Sequence, residues 1–101
     1  MNIEFLQAAQ MELDDAFIWY ETQQKNLGRQ FIQEFDAAVQ RLSAFPQAYT
    51  EIAKGVRRCL VKRFPYGILY GINNDTIVIV AVAHLHREPN YWVSRLNSLN
   101  S

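Results

Sequence analysis

The sequence predicts an α+β domain in which a helical hairpin packs on one face of a largely antiparallel sheet. Three observations carry that prediction. Apolar residues recur at three- and four-residue steps from Leu6 to Leu42, the period of amphipathic helices. From Val56 onward β-branched and aromatic residues dominate instead, as in strands. Pro46, Pro65 and Pro89 stand where the pattern stops or turns.

The elements follow in order. Asn2 to Phe5 alternates polar and apolar residues, which predicts a short first strand. Leu6, Ala9, Leu13, Ala16, Phe17 and Tyr20 then form the apolar stripe of a helix ending near Gln24, with Gln7, Gln10, Asp14 and Glu21 mostly on its other side. Trp19 and Tyr20 are assigned to the core, because this helix must cover the sheet. Lys25 to Gly28 reads as a polar break, and Phe31, Phe35, Val39 and Leu42 continue as a second helix until Pro46.

Three strands are predicted at Val56 to Phe64, Tyr66 to Ile72 and Thr76 to His84. Phe64-Pro65 bends the chain between the first two. Asn73-Asn74-Asp75 makes the last two a hairpin, since Asn and Asp tolerate left-handed backbone. Glu88-Pro89 stops the final strand, and Tyr91 to Leu96 suggests a short helix. The order β-α-α-β-β-β over one domain, residues 1–96, with a polar tail at 97–101, leaves the second sheet face open to a partner. Phe31, Phe35, Phe64 and Tyr66 read as structural, with Phe35 and Phe64 buried between hairpin and sheet.

Composition narrows the function classes. With 101 residues, half of them hydrophobic, the chain supports one real core. Its single cysteine, Cys59, cannot form an internal disulfide, and its place in an apolar strand predicts a buried, inert thiol and a cytoplasmic setting. The longest apolar run, Ile77 to Ala83, is far below the ~20 residues of a membrane span, so no membrane association is expected.

The formal net charge of zero conceals a dipole. Residues 1–53 hold three Lys/Arg against eight carboxylates, and residues 54–101 hold seven against two, so the halves carry −5 and +5. That asymmetry favours an anionic partner for the second half. Strand alternation sends Arg57 and Arg63 to one side and Arg58 and Lys62 to the other. Charged side chains also commonly protect sheet edges, and that plainer role competes with partner binding. The partner-binding candidates are Arg58, Lys62, Arg63, His84 and Arg87. His84 and His86 have a spacing that can chelate a metal, yet no third ligand accompanies them; neither a metal nor another cofactor is expected.

Several stretches together carry a resemblance: Ala16 to Tyr20 with its Trp-Tyr pair, Phe45-Pro46-Gln47-Ala48-Tyr49, Arg57-Arg58, Phe64-Pro65-Tyr66 leading to Tyr70, and His86-Arg87-Glu88-Pro89-Asn90-Tyr91-Trp92. In order and spacing the chain resembles the RelE/ParE superfamily of toxins from type II toxin-antitoxin modules. The resemblance implies a small growth-inhibiting toxin, of the kind found in plasmid stabilisation modules. It would be held inactive in a hetero-oligomer with its cognate antitoxin. Two targets occur among such relatives: RelE-like members cut mRNA in the ribosome, and ParE-like members poison DNA gyrase.

Ribonuclease chemistry needs a base for the 2′-hydroxyl, an acid for the leaving oxygen and cations for the phosphorane. The strand position where ribonuclease relatives carry arginine is Gly67 here. Arg58, Lys62, His84, His86, Arg87 and Tyr91 remain, with His86, Arg87 and Tyr91 as the catalytic set of an enzymatic reading. The missing arginine favours a ParE-like gyrase inhibitor that acts by binding. The ribosome-dependent ribonuclease is the alternative, and a degenerate toxin that only binds antitoxin is a third reading.

Overall fold

The computed structural model describes residues 1–98, in the order β1 (Asn2–Phe5), α1 (Gln7–Gln23), α2 (Leu27–Ala44), β2 (Thr50–Ala53), β3 (Val56–Leu60), β4 (Tyr66–Asn73) and β5 (Thr76–His84), followed by a 3₁₀ segment (Val93–Ser98). The strands form one sheet in the order β1-β5-β4-β3-β2, antiparallel except that β1 runs parallel to β5. The helical hairpin on one sheet face is as the sequence predicts. The 3₁₀ segment reaches into the expected tail, of which residues 99–101 lie outside the described residues.

Both helices bury their stripes on the same side. Ala9, Phe35, Ala38 and Leu42 meet Cys59, Val61, Ile68, Tyr70, Ile77, Ile79 and Val82 in one core, with Leu13 and Phe64 partly buried against it. Tyr20, Phe31, Phe64 and Tyr66 close one end in a set of edge-on ring contacts, such as Tyr20 to Phe64 at 4.9 Å between centroids. Phe35 is fully buried, whereas Phe64 is only half-buried. Cys59 is buried as expected, and burial pushes its thiol pKa up.

Five details depart from the sequence-based expectation. Thr50–Ala53 adds a fifth strand, paired with β3 from Thr50↔Arg58 to Ala53↔Val56. It was hidden because four edge residues, mostly exposed, carry no apolar alternation. β3 ends at Leu60 rather than Phe64, because the Val61 N–H bonds to the Tyr66 carbonyl and Arg63 takes a positive φ of 70°, folding residues 61–65 into a turn.

Gly28 lies inside α2, not in the break. A Cβ there would sit 2.8 Å from the Phe17 carbonyl oxygen and 2.9 Å from the Glu21 Cβ, so this glycine permits the close approach of the two helices. The break is held by Asn26 with φ 72° and by the Glu21 carboxylate, which accepts the Asn26 and Gly28 N–H groups at 2.9 and 3.0 Å. That places negative charge at the start of α2, where the first N–H groups have no helical partner. Trp19 is not core: it is 60% exposed on α1.

The second sheet face is not free either. Val56, Leu69, Val80 and Ala81 form a smaller core with Trp92, flanked by Tyr91 and Leu96. A β-bulge makes room for it: Leu69 pairs with Ala81 and Tyr70 with Ile79, so Val80 is the extra residue and both Val80 and Ala81 face the C-terminal segment.

Candidate functional site

A groove of about 270 Å³ opens between the end of β5, the middle of β3 and β4, and the loop after β5. Leu69, Ala83 and Trp92 line its apolar part, and Arg58, His84, Arg87 and Tyr91 its polar part. The local sequence explains each placement. Arg58 stands opposite Leu69 in the β3–β4 register. Its aliphatic stem covers Gly67, where a Cβ would come within 3.1 Å of the Arg58 Cγ and Cδ. The missing side chain at 67 is therefore the seat of Arg58, a neighbour provided by the next strand.

Arg87 and Tyr91 are positioned by a residue that sequence reasoning did not single out. Glu12, on α1, accepts the Tyr91 hydroxyl at 2.6 Å and both terminal nitrogens of Arg95 at 2.7 and 3.1 Å. It also accepts the Val82 N–H beside the bulge at 3.1 Å. Arg87 approaches the same carboxylate at 3.7 Å, with its guanidinium 4.0 Å from the centre of the Tyr91 ring. Arg95 also reaches the Val80 carbonyl at 3.1 Å, tying the bulge to the same node.

The electrostatic result is a phenol held protonated. Burial first, then the bond to Glu12, pushes the Tyr91 pKa well above the usual tyrosine value, while hydrogen bonding to Glu12 raises that of Arg95. At neutral pH Tyr91 is thus a hydrogen-bond donor already engaged. His84 stands at the end of β5 with its ring edge-on to Tyr66 at 5.2 Å. Its Nδ1 accepts the His86 N–H at 3.1 Å, so a neutral ring carries its proton on Nε2.

The remaining predicted residues separate. The exposed His86 ring lies 5.1 Å from that of His84 but does not line the groove. Lys62 is exposed at a different groove, with Arg41, Tyr49 and the other side of Arg58. Arg63 turns toward α2, 3.6 Å from Glu34 and 3.4 Å from the Gln30 side-chain oxygen. Arg57 pairs with Glu51 at 3.8 Å and donates to the Tyr49 carbonyl at 2.7 Å. Arg58 and Lys62 share that second groove, while Arg57 and Arg63 make separate ion pairs outside it; strand alternation accounts only for Arg57 and Arg58, since β3 ends at Leu60.

Glu88 apart, the charged side chains around the groove are cations, so its chemistry suits an acceptor-rich partner. Among the described residues no three His, Cys, Asp or Glu side chains gather into a metal-binding group, and no helix is long and apolar enough to cross a membrane.

The family model for the ParE toxin of the type II toxin-antitoxin system, parDE, matches residues 3–89. Among solved structures, the chain is similar to the chromosomal ParDE TA system from P. aeruginosa, with a TM-score of 0.63 and 15% identity over 85% of this chain and 97% of that one. At that identity the likeness is one of fold. No curated protein matches the sequence.

Proposed function

This chain belongs to the ParE toxin family of type II toxin-antitoxin systems, and we propose that it acts by binding and poisoning DNA gyrase in the cytoplasm, as a stoichiometric inhibitor. The observation that carries this reading is the engagement of the groups an enzyme would need. Tyr91 is bound to Glu12, Arg95 is spent on the same carboxylate, and Gly67 offers no cation, its space being filled by the stem of Arg58. Such a surface is equipped to hold a partner rather than to transfer protons.

A cognate antitoxin neutralises the protein by covering the basic second half with an acidic, amphipathic segment. Arg58, Lys62, His84 and Arg87 are its contacts. Arg63 joins them only by exchanging Glu34 for an antitoxin carboxylate. The ribonuclease alternative draws on one specific feature, the His84–His86 ring pair, of which His84 lines the groove with Arg58 and Arg87.

The deciding experiment adds purified toxin to a gyrase supercoiling assay and, separately, to ribosomes programmed with mRNA. Supercoiling should fall in proportion to toxin, ribosome-bound mRNA should stay intact, and His86→Ala should matter only as far as it weakens binding. Cutting of ribosomal mRNA that depends on His86, with gyrase untouched at the same concentration, would replace this reading with the enzymatic one.

A further inference from the structure

Ion pairing divides the cations of the second half into two sets. Arg57, Arg63, Arg87 and Arg95 each have a carboxylate within 4 Å, supplied by Glu51, Glu34 or Glu12. Lys54 in the β2–β3 turn aside, those with none among the described residues are Arg58 and Lys62, joined by Arg41 on α2. These three converge on one groove of about 350 Å³, on the side of β3 away from the Glu12 node, and no carboxylate lines it.

The fold holds one of the three heads in place and seats the stem of a second. Arg41 is anchored by a 3.1 Å hydrogen bond from Nη2 to the Leu60 carbonyl, which leaves its other donors available. Arg58 rests its stem on Gly67, so its guanidinium is carried at the rim between the two grooves. Tyr49 and Thr50 add hydroxyls to the lining, and burial keeps the Tyr49 phenol protonated. Two planar guanidiniums, an ammonium and two hydroxyls match phosphate oxygens in chemistry and in number of donors.

We propose that Arg41, Arg58 and Lys62 form a groove that binds the phosphate backbone of nucleic acid. The antitoxin's acidic segment covers Arg58 and Lys62 in the complex; in the free toxin a lone acidic peptide is the competing occupant, and the lining gives it few anchors. Peptide sites draw their affinity from apolar anchors seated in pockets, whereas here the one large aliphatic residue is Leu60, itself 49% exposed on a strand. Three cations gathered in one groove with no carboxylate give the salt-dependent attraction expected of contact with a phosphate backbone. The proposal does not rest on the gyrase reading, because it concerns the isolated toxin.

The test is a salt titration of binding by purified toxin to a fluorescent duplex DNA and to a single-stranded RNA of equal length. Three phosphate contacts give a slope of log affinity against log salt of about −2.7 on duplex DNA and about −2 on a single strand, which tells the two sources apart. Arg41→Gln, Arg58→Gln and Lys62→Gln should each reduce the slope by about 1, while Lys25→Gln, a charge-matched change in the α1–α2 turn, should leave it unchanged. Arg58→Lys keeps the charge and should keep the slope, which guards against a folding defect in Arg58→Gln. The proposal is overturned by absence of binding to both nucleic acids at low salt, or by equal losses in Lys25→Gln.

Discussion

Arg95 grips Glu12 with both terminal nitrogens, at 2.7 and 3.1 Å, across 83 residues of sequence. The same carboxylate holds Tyr91 and the Val82 N–H, so α1, the bulge of β5 and the C-terminal segment meet at one side chain. Only 14% of the Glu12 side chain and 20% of that of Arg95 remain exposed. Glu12→Ala would leave a cation, a phenol and an amide poorly solvated, and should destabilise the fold by about 2–4 kcal/mol. Denaturant unfolding measures this directly; a loss below about 0.5 kcal/mol would show that water replaces Glu12 freely.

The two aromatic truncations should differ. Phe35 is 2% exposed in the main core, so Phe35→Ala should cost about 3–5 kcal/mol and unfold much of the population at moderate temperature. Phe64, half-buried at the edge of the ring cluster, should cost about 1–3 kcal/mol when cut to Ala. Equal melting temperatures for the two variants would contradict the burial difference.

Two glycines predict opposite responses to a methyl group. At Gly28 the added Cβ meets backbone, the Phe17 carbonyl oxygen at 2.8 Å, and α1 and α2 must separate; about 1–3 kcal/mol should be lost. At Gly67 it meets only the flexible stem of Arg58 at 3.1 Å, and the entropy gained over glycine offsets the adjustment. Gly67→Ala should therefore change stability by less than about 1 kcal/mol while shifting the Arg58 head, so that a binding assay responds more than a melting curve does.

Stability should fall on the alkaline side. Burial pushes the Tyr70 pKa up to about 12 from 10, while its hydroxyl donates to the Pro46 carbonyl at 2.6 Å. A folded-state pKa above the unfolded one means that the native protein binds the proton more tightly. The contribution is thus complete below pH 10 and is lost as pH rises toward 12. Tyr91, shifted the same way, adds to the loss. Unfolding free energy followed from pH 8 to 12 should decline, and Tyr70→Phe should make the decline shallower; an unchanged slope would remove Tyr70 as a cause.

What the sequence disclosed, and what it hid, follows from distance along the chain. Leu6 to Tyr20 and Phe31 to Leu42 announced their helices because each period is local, and Asn73-Asn74-Asp75 announced its turn for the same reason. Arg58, His84, Arg87 and Tyr91 were legible as candidates, but only together with Lys62, Arg63 and His86, which the fold places outside that groove. Glu12 and Arg95 were not, since a carboxylate on a helix and an arginine near the chain's end have no visible link until the fold joins them. Trp19 misled because its neighbours are apolar, yet 3.6-residue geometry turns it outward. Gly67 was read as a vacancy in one strand, when its meaning lay in the side chain of the next.

The parallel pairing of β1 with β5 also dictates a schedule. Asn2 to Phe5 is made well before Thr76–His84, its one neighbour in the sheet among the described residues. At ~5–20 residues per second, a ribosome needs on the order of 4–15 s to span the interval. During that time α1 lacks the strand it packs against, since α1 lies along β5. A nascent chain cut short before Thr76 has the residues of both helices but not β5 beneath α1, and the faces that β5 would bury stay in contact with water. Assembly of the native sheet is consequently a late, nearly all-or-nothing event in synthesis, and incomplete chains are natural substrates for proteolysis rather than partly working copies.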